Sequence, residues 1–238
     1  MVMDKGISLR QAEDFISTSA PYVDFVKLGF GTSLISANVK QKVRLYQDAG
    51  MKVYVGGTLF EAFVVRNQFE DYLTYVRDLG LDSAEVSDGS IEIGHEKKLE
   101  YINRLSSEFT VLSEVGSKEE GIIIHPARWI KMMQSELEAG ATKVIAEARE
   151  SGTVGIFHKD GSAHTMLINR IVHKVKLENI IWETPQKSQQ VYFLKLFGCN
   201  VNLGNIAVDD VIPLETLRLG LRGDTFFSFL PGEMKQPL

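Results

Sequence analysis

Val144-Ile145-Ala146-Glu147-Ala148-Arg149-Glu150-Ser151-Gly152 holds the fold in miniature. A short apolar run ends in an acid and a base, and a glycine-containing loop follows. The same order recurs along the chain. Met1–Met3 precede Asp4 and Lys5, and Val23–Val26 precede Lys27. Glu85 and Asp88 close another run, Glu114 and Lys118 the next, and Glu183 follows Ile180–Trp182. A helical pattern follows each one. Charge set repeatedly at the C-terminal ends of strands is the layout of a β/α barrel, whose active site sits at that end. The pattern therefore predicts an enzyme.

Working outward, the apolar runs predict strands at 1–4, 22–28, 52–55, 83–86, 109–115, 143–146, 179–182 and 200–203. Helical patterns between them cover about 8–20, 39–49, 60–79, 96–107, 126–139, 163–174, 189–197 and 213–219. Ser8 and Gln11 form a capping box at the first helix. Pro126 suits the first turn of another. Strands alternating with helices imply parallel βαβ units. The predicted fold class is α/β, a single (β/α)8 TIM-type barrel over residues 1–226, with an irregular tail at 227–238. An open doubly wound sheet is the alternative.

The chain has 238 residues, 44% hydrophobic and 24% charged, which suits one large globular domain. The single cysteine, Cys199, forms no internal bridge, so a reducing cytoplasm is the expected compartment. No apolar run is long enough for a membrane helix, and the first residues lack a signal-peptide pattern. A net charge of -5 argues against a nucleic-acid partner.

Several strand-end segments carry two readings each. Gly29-Phe30-Gly31-Thr32-Ser33, beside Lys27, is an anion cradle or a tight turn with a solvated lysine. In Gly56-Gly57-Thr58-Leu59-Phe60-Glu61, Thr58 and Glu61 read as ordinary helix capping, and the same helix start can hold phosphate. The segments Glu85–Gly89 and Glu114–Lys118 bring carboxylates toward one hard cation, or toward neighbouring lysines. Arg149 can clamp a carboxylate or phosphate, with Glu147 as a ligand or orienting partner; a structural Arg–Glu network is the other reading. Asn202-Leu203-Gly204-Asn205, faced by Gln186, Lys187 and Ser188, is a phosphate cup at the seventh and eighth loops or plain turn chemistry. The five histidines lack metal-binding spacing. His158–Gly161 reads as a turn.

Read together and in order, these segments resemble the phosphosulfolactate synthase family over almost the whole chain. The resemblance is carried by Asp4-Lys5-Gly6, Val23 through Ser33, Gly56 through Glu61, Glu85 through Gly89 and Glu114-Val115-Gly116. It continues through Arg149-Glu150-Ser151-Gly152, Pro185 through Val191, Asn202 through Ala207 and Leu214 through Phe226. The chain departs from the family at Ser117, where lysine is frequent, and at Phe30, where an archaeal relative has tryptophan. Relatives carry residues upstream of the first strand, so a shorter N-terminus is expected here.

The resemblance implies a magnesium-dependent barrel lyase that adds sulfite to phosphoenolpyruvate, giving (2R)-2-phospho-3-sulfolactate. In archaeal relatives this opens a route to coenzyme M; bacterial relatives feed sulfolactate or other sulfonates. Relatives form homotrimers, and the family also includes plant heat-stress proteins. The family's catalytic lysine maps to Lys118, the expected general acid. The expected Mg²⁺ ligands are Glu114, Glu147 and Asp88. Lys5, Lys27 and Arg149 are expected to supply positive charge to the substrate, with Gln186, Lys187, Asn202 and Gly204 as further binding positions. No nucleic-acid or membrane partner is expected.

Overall fold

A computed structural model describes residues 1–116 and 125–235. Its strands are β1 (Val2–Asp4), β2 (Phe25–Leu28), β3 (Lys52–Val55), β4 (Ser83–Val86), β5 (Thr110–Val115), β6 (Lys143–Ala146), β7 (Ile180–Glu183), β8 (Leu203–Gly204) and β9 (Ile206–Ala207). All the pairings between them are parallel. They form two arcs, ordered β3-β2-β1-β9 and β4-β5-β6-β7-β8. β8 and β9 are halves of one strand position, split at Asn205, which has φ 56°. At the other seam the Val53 amide donates to Asp82 at 2.9 Å, and the Gly57 amide donates to Glu85. The arcs together make the (β/α)8 barrel.

The outer layer comprises α1 (Leu9–Ser19), α2 (Val39–Asp48), α3 (Gly57–Val64), α4 (Phe69–Leu79), α5 (His95–Ser106), α6 (Pro126–Glu138), α7 (Thr165–Val172), α8 (Lys187–Phe197) and α9 (Val211–Arg218). The capping box at Ser8 and Gln11 is present. Outward strand residues such as Val26, Val53, Val111 and Val144 meet Tyr46, Tyr72, Ile102 and Met133 from the helices in the main apolar core.

Three expectations need correction. The helix expected over 60–79 is two helices, because Asn67 adopts φ 57° between them. Thr58 is not a cap: α3 starts after Gly56, and Glu61 is a buried residue of that helix. The eighth strand lies later than 200–203, so Asn202 precedes it rather than ending it.

Strand alternation explains the barrel interior. Residues two apart share a face. Phe25, Tyr54, Leu112, Ile145 and Ile181 form an inner apolar cluster. Two residues on from four of these come Lys27, Glu114, Glu147 and Glu183, with Gly56 after Tyr54. The apolar plug thus carries a charged layer at the C-terminal end of the strands.

Asp4 ties the first of those ends in place. Its carboxylate accepts from the amides of Gly6 and Ile7 at 2.7 and 3.0 Å and from the Tyr46 hydroxyl at 3.0 Å. It also pairs with buried Lys42 at 2.6 Å. Burial and the adjoining Asp4 charge push the Tyr46 phenol well above its usual range. Asp4→Ala leaves Lys42 buried without its counter-charge and is expected to cost about 3–5 kcal/mol in urea unfolding. A loss below about 1 kcal/mol, the scale of an exposed pair, contradicts this role.

Candidate functional site

Lys27 stands at the middle of the charged layer and is 6% exposed. Its Nζ lies 3.0 Å from Glu85, 3.4 Å from Glu114 and 3.6 Å from Glu183. Burial alone lowers a lysine pKa, but these three carboxylates outweigh it and hold Lys27 well above its ordinary value. The raised value favours the ammonium form, whose charge these carboxylates hold in place. Burial first, and then the Glu85 charge, likewise push the Tyr54 phenol well above its usual value.

Carboxylates of Glu114, Glu147 and Glu183 each offer an oxygen within 4.8 Å of the others. All three side chains are buried. Hard oxygen donors converging in this way fit a hard divalent cation such as Mg²⁺. Glu147 is aimed by the Arg149 amide, which donates to its Oε1, and Glu183 accepts from the Ala148 amide at 3.0 Å. Ser87 Oγ bridges Glu61 at 2.5 Å and Glu114 at 2.8 Å. Gly116 has φ 144°, and a side chain there would meet Glu147 Cβ at 2.5 Å. Glycine at that position lets β5 pass close beside Glu147.

A cavity of about 440 Å³ opens over this layer. Its lining includes Lys27, Phe30, Gly57, Thr58, Glu114, Glu147, Arg149, Glu183 and Asn205. The structure thus gathers Lys27, Arg149, Glu114 and Glu147 from the sequence-derived set. It adds Glu183, which marks a strand end in the sequence and is absent from the expected ligand set.

The other described residues of the expected set do not line this cavity; Lys5 and Gln186 are bonded to Glu150 and Ser151, which do. Asp88 is outside the carboxylate group and pairs at 2.9 Å with Lys98, a buried lysine that also reaches Glu136 at 3.0 Å. Lys98 donates to the backbone oxygen of Glu114 at 2.6 Å, bracing β5 from behind. Lys5 pairs with Glu150. Gln186 caps α8 and donates to the Ser151 carbonyl at 2.6 Å. Lys187 pairs with Asp224 at 2.6 Å. Asn202 donates to the carbonyls of Glu178 and Ile180 at 3.0 and 3.2 Å, at the opposite, N-terminal end of β7. Gly204 is packed, since a side chain there would meet Ile181 and Met1 at 2.8 Å. The α3 N-terminus, an anion site in one reading, already has its Gly57 amide on Glu85. Lys118 lies outside the described residues.

A family model described as (2R)-phospho-3-sulfolactate synthase (ComA) matches residues 1–224. The chain belongs to the phosphosulfolactate synthase family. It is 44% identical over 234 residues to the phosphosulfolactate synthase of Methanocaldococcus jannaschii, covering 95% of this chain and 92% of that one. To the phosphosulfolactate synthase of Bacillus subtilis it is 39% identical over 230 residues, covering 95% and 91%. Among solved structures, the YdjI aldolase of Escherichia coli K12 aligns with a TM-score of 0.60 over 99% of this chain and 83% of the aldolase. That pair is 9% identical, so the likeness concerns the barrel alone. As a member of the phosphosulfolactate synthase family, the chain is placed among enzymes. No helix among the described residues is long and apolar enough to cross a membrane.

Proposed function

We propose that this protein is a phosphosulfolactate synthase, adding sulfite to phosphoenolpyruvate to give (2R)-2-phospho-3-sulfolactate. The observation that carries the proposal is the convergence of Glu114, Glu147 and Glu183 beside Lys27 and Arg149 in one cavity of a chain from this family. The sulfur lone pair of sulfite forms the C–S bond at the methylene carbon. The π electrons of the enol move toward C2 and the adjoining carboxylate. A proton then arrives at C2.

Glu114, Glu147 and Glu183 would hold the Mg²⁺, with Asp88 kept back by Lys98. When bound, the ion supplies Lewis-acid stabilisation of the charge gathering on the substrate carboxylate. Lys27, as the ammonium its carboxylate neighbours favour, offsets part of the local negative charge. Arg149 offers a guanidinium fork for phosphate or carboxylate oxygens. Lys118 is the proton donor to C2, a role taken from the family resemblance. Assembly as a homotrimer belongs to the same proposal.

The ultraviolet absorbance of the enol phosphate follows the reaction. It is expected to fall only with sulfite and Mg²⁺ both present. Consumption with another nucleophile in place of sulfite, and none with sulfite, refutes the assignment. Lys118→Ala is expected to abolish turnover while leaving the unfolding transition in place. Near-wild-type turnover in that variant removes Lys118 from the mechanism.

A further inference from the structure

We propose that Asn205 supplies a neutral oxygen to the coordination shell of the cation, completing the set begun by Glu114, Glu147 and Glu183. The inference rests on the reading that those three carboxylates hold a divalent cation. Asn205 follows Gly204, which is in register with Glu183, and it lines the same cavity as the three acids. It sits where the barrel passes from β8, paired with β7, to β9, paired with β1.

Two features of Asn205 ask for explanation. Its backbone has φ 56°, in the left-handed region where glycine pays no penalty and asparagine only a modest one. Backbone geometry alone would therefore be served as well by glycine. In addition, the residue is 7% exposed, and its Oδ1 has no hydrogen-bond partner among the described residues. A buried acceptor left without a donor is costly.

In their fully ionised forms the substrates proposed above do not satisfy it. Ionised phosphate, carboxylate and sulfite oxygens are acceptors, so none of them complements a carbonyl oxygen. A hard cation, or a water molecule held on one, does. A neutral amide oxygen also suits a site that already has three acids, since it adds a ligand without adding charge. The opposite arrangement, with the amide turned so that Nδ2 donates to a substrate oxygen, makes a different set of predictions and is separable by experiment.

The probe is Mn²⁺ alone, with the free ion counted by electron paramagnetic resonance against wild type, Asn205→Gly, Asn205→Asp and Glu147→Gln. Asn205→Gly removes the oxygen and relaxes the backbone, so its Tm should equal or exceed that of wild type. Its Mn²⁺ affinity should fall about ten- to hundred-fold, the scale found when a supporting group of a metal site is lost. Asn205→Asp keeps an oxygen and loses the NH₂, and should bind Mn²⁺ at least as tightly as wild type. Wild-type affinity in Asn205→Gly, or an Asp variant as weak as the Gly variant, overturns the inference while Glu147→Gln still reports on the acids. If wild type does not bind Mn²⁺, or Glu147→Gln binds it equally well, the cation reading itself fails, and the inference with it.

Discussion

Lys27→Met is expected to destabilise the protein by about 3–5 kcal/mol, the penalty for removing one member of a buried ion-paired group. Lys27 lies within ion-pairing distance of Glu85, Glu114 and Glu183, all of them buried. A methionine fills similar space but leaves those acids without the ammonium at their centre. Domains of this kind are stable by only about 5–15 kcal/mol, so the loss would be plain in the urea midpoint. Turnover should fall by at least about 10²–10³, the usual effect of removing one placed charge from an active site. Lys27→Arg, which keeps the charge, should recover part of the stability. An unchanged midpoint in Lys27→Met would mean that Lys27 does not hold the charged layer together.

The pH dependence of that contribution has a definite sign. Folding raises the Lys27 pKa, so the native state binds this proton more tightly than the unfolded chain does. The contribution is complete below the unfolded lysine value of about 10.4 and is lost as pH rises through the higher folded value. Stability losses near neutrality must come from other groups.

Glu147→Gln is expected to reduce turnover by about 10²–10³ with little loss of stability. The amide oxygen can still accept from the Arg149 amide, so the local geometry is kept. What disappears is one of the three negative charges that converge within 4.8 Å. The apparent Mg²⁺ requirement should rise together with the loss in turnover. Measuring rate against Mg²⁺ concentration separates this from a folding defect, which would not respond to the ion. Wild-type turnover at low Mg²⁺ would exclude Glu147 from the cation site.

The barrel was legible because its strands are short apolar runs closed by charge. Lys27, Glu114, Glu147 and Glu183 all show this, and the alternation of strand faces explains why. Counting by twos along β4 also separates Glu85 and Ser87, which face inward, from Asp88, which turns toward Lys98 on α5. The expected ligand set names Asp88 and not Glu183 because whole segments, read as strand ends, do not carry that parity; the carboxylates that converge are Glu114, Glu147 and Glu183. Glu183 stands two residues beyond Ile181 of the apolar plug, as Glu147 does beyond Ile145.

What stayed hidden depended on contacts between distant parts of the chain. The apolar pattern of Asn200–Leu203 places the eighth strand too early. Its true position is fixed by Gly204 against Glu183 and by Ile206 against Val2. That shift moves Asn202 to the far end of the barrel and brings Asn205 to the cavity. The break between α3 and α4 turns on the left-handed Asn67, a conformation asparagine tolerates but does not impose. The pairing of Lys187 with Asp224 joins residues no local pattern connects. Gln186, by contrast, acts through a local capping box with Gln189, a pattern close enough in sequence to have been read.

The most direct test is to incubate the purified protein with phosphoenolpyruvate, sulfite and Mg²⁺ and identify the product by mass spectrometry. Formation of phosphosulfolactate, absent when any one of the three is withheld, is the expected result. Recovery of unchanged phosphoenolpyruvate from folded protein with all three present would contradict the assignment of this cavity as a sulfite-adding active site.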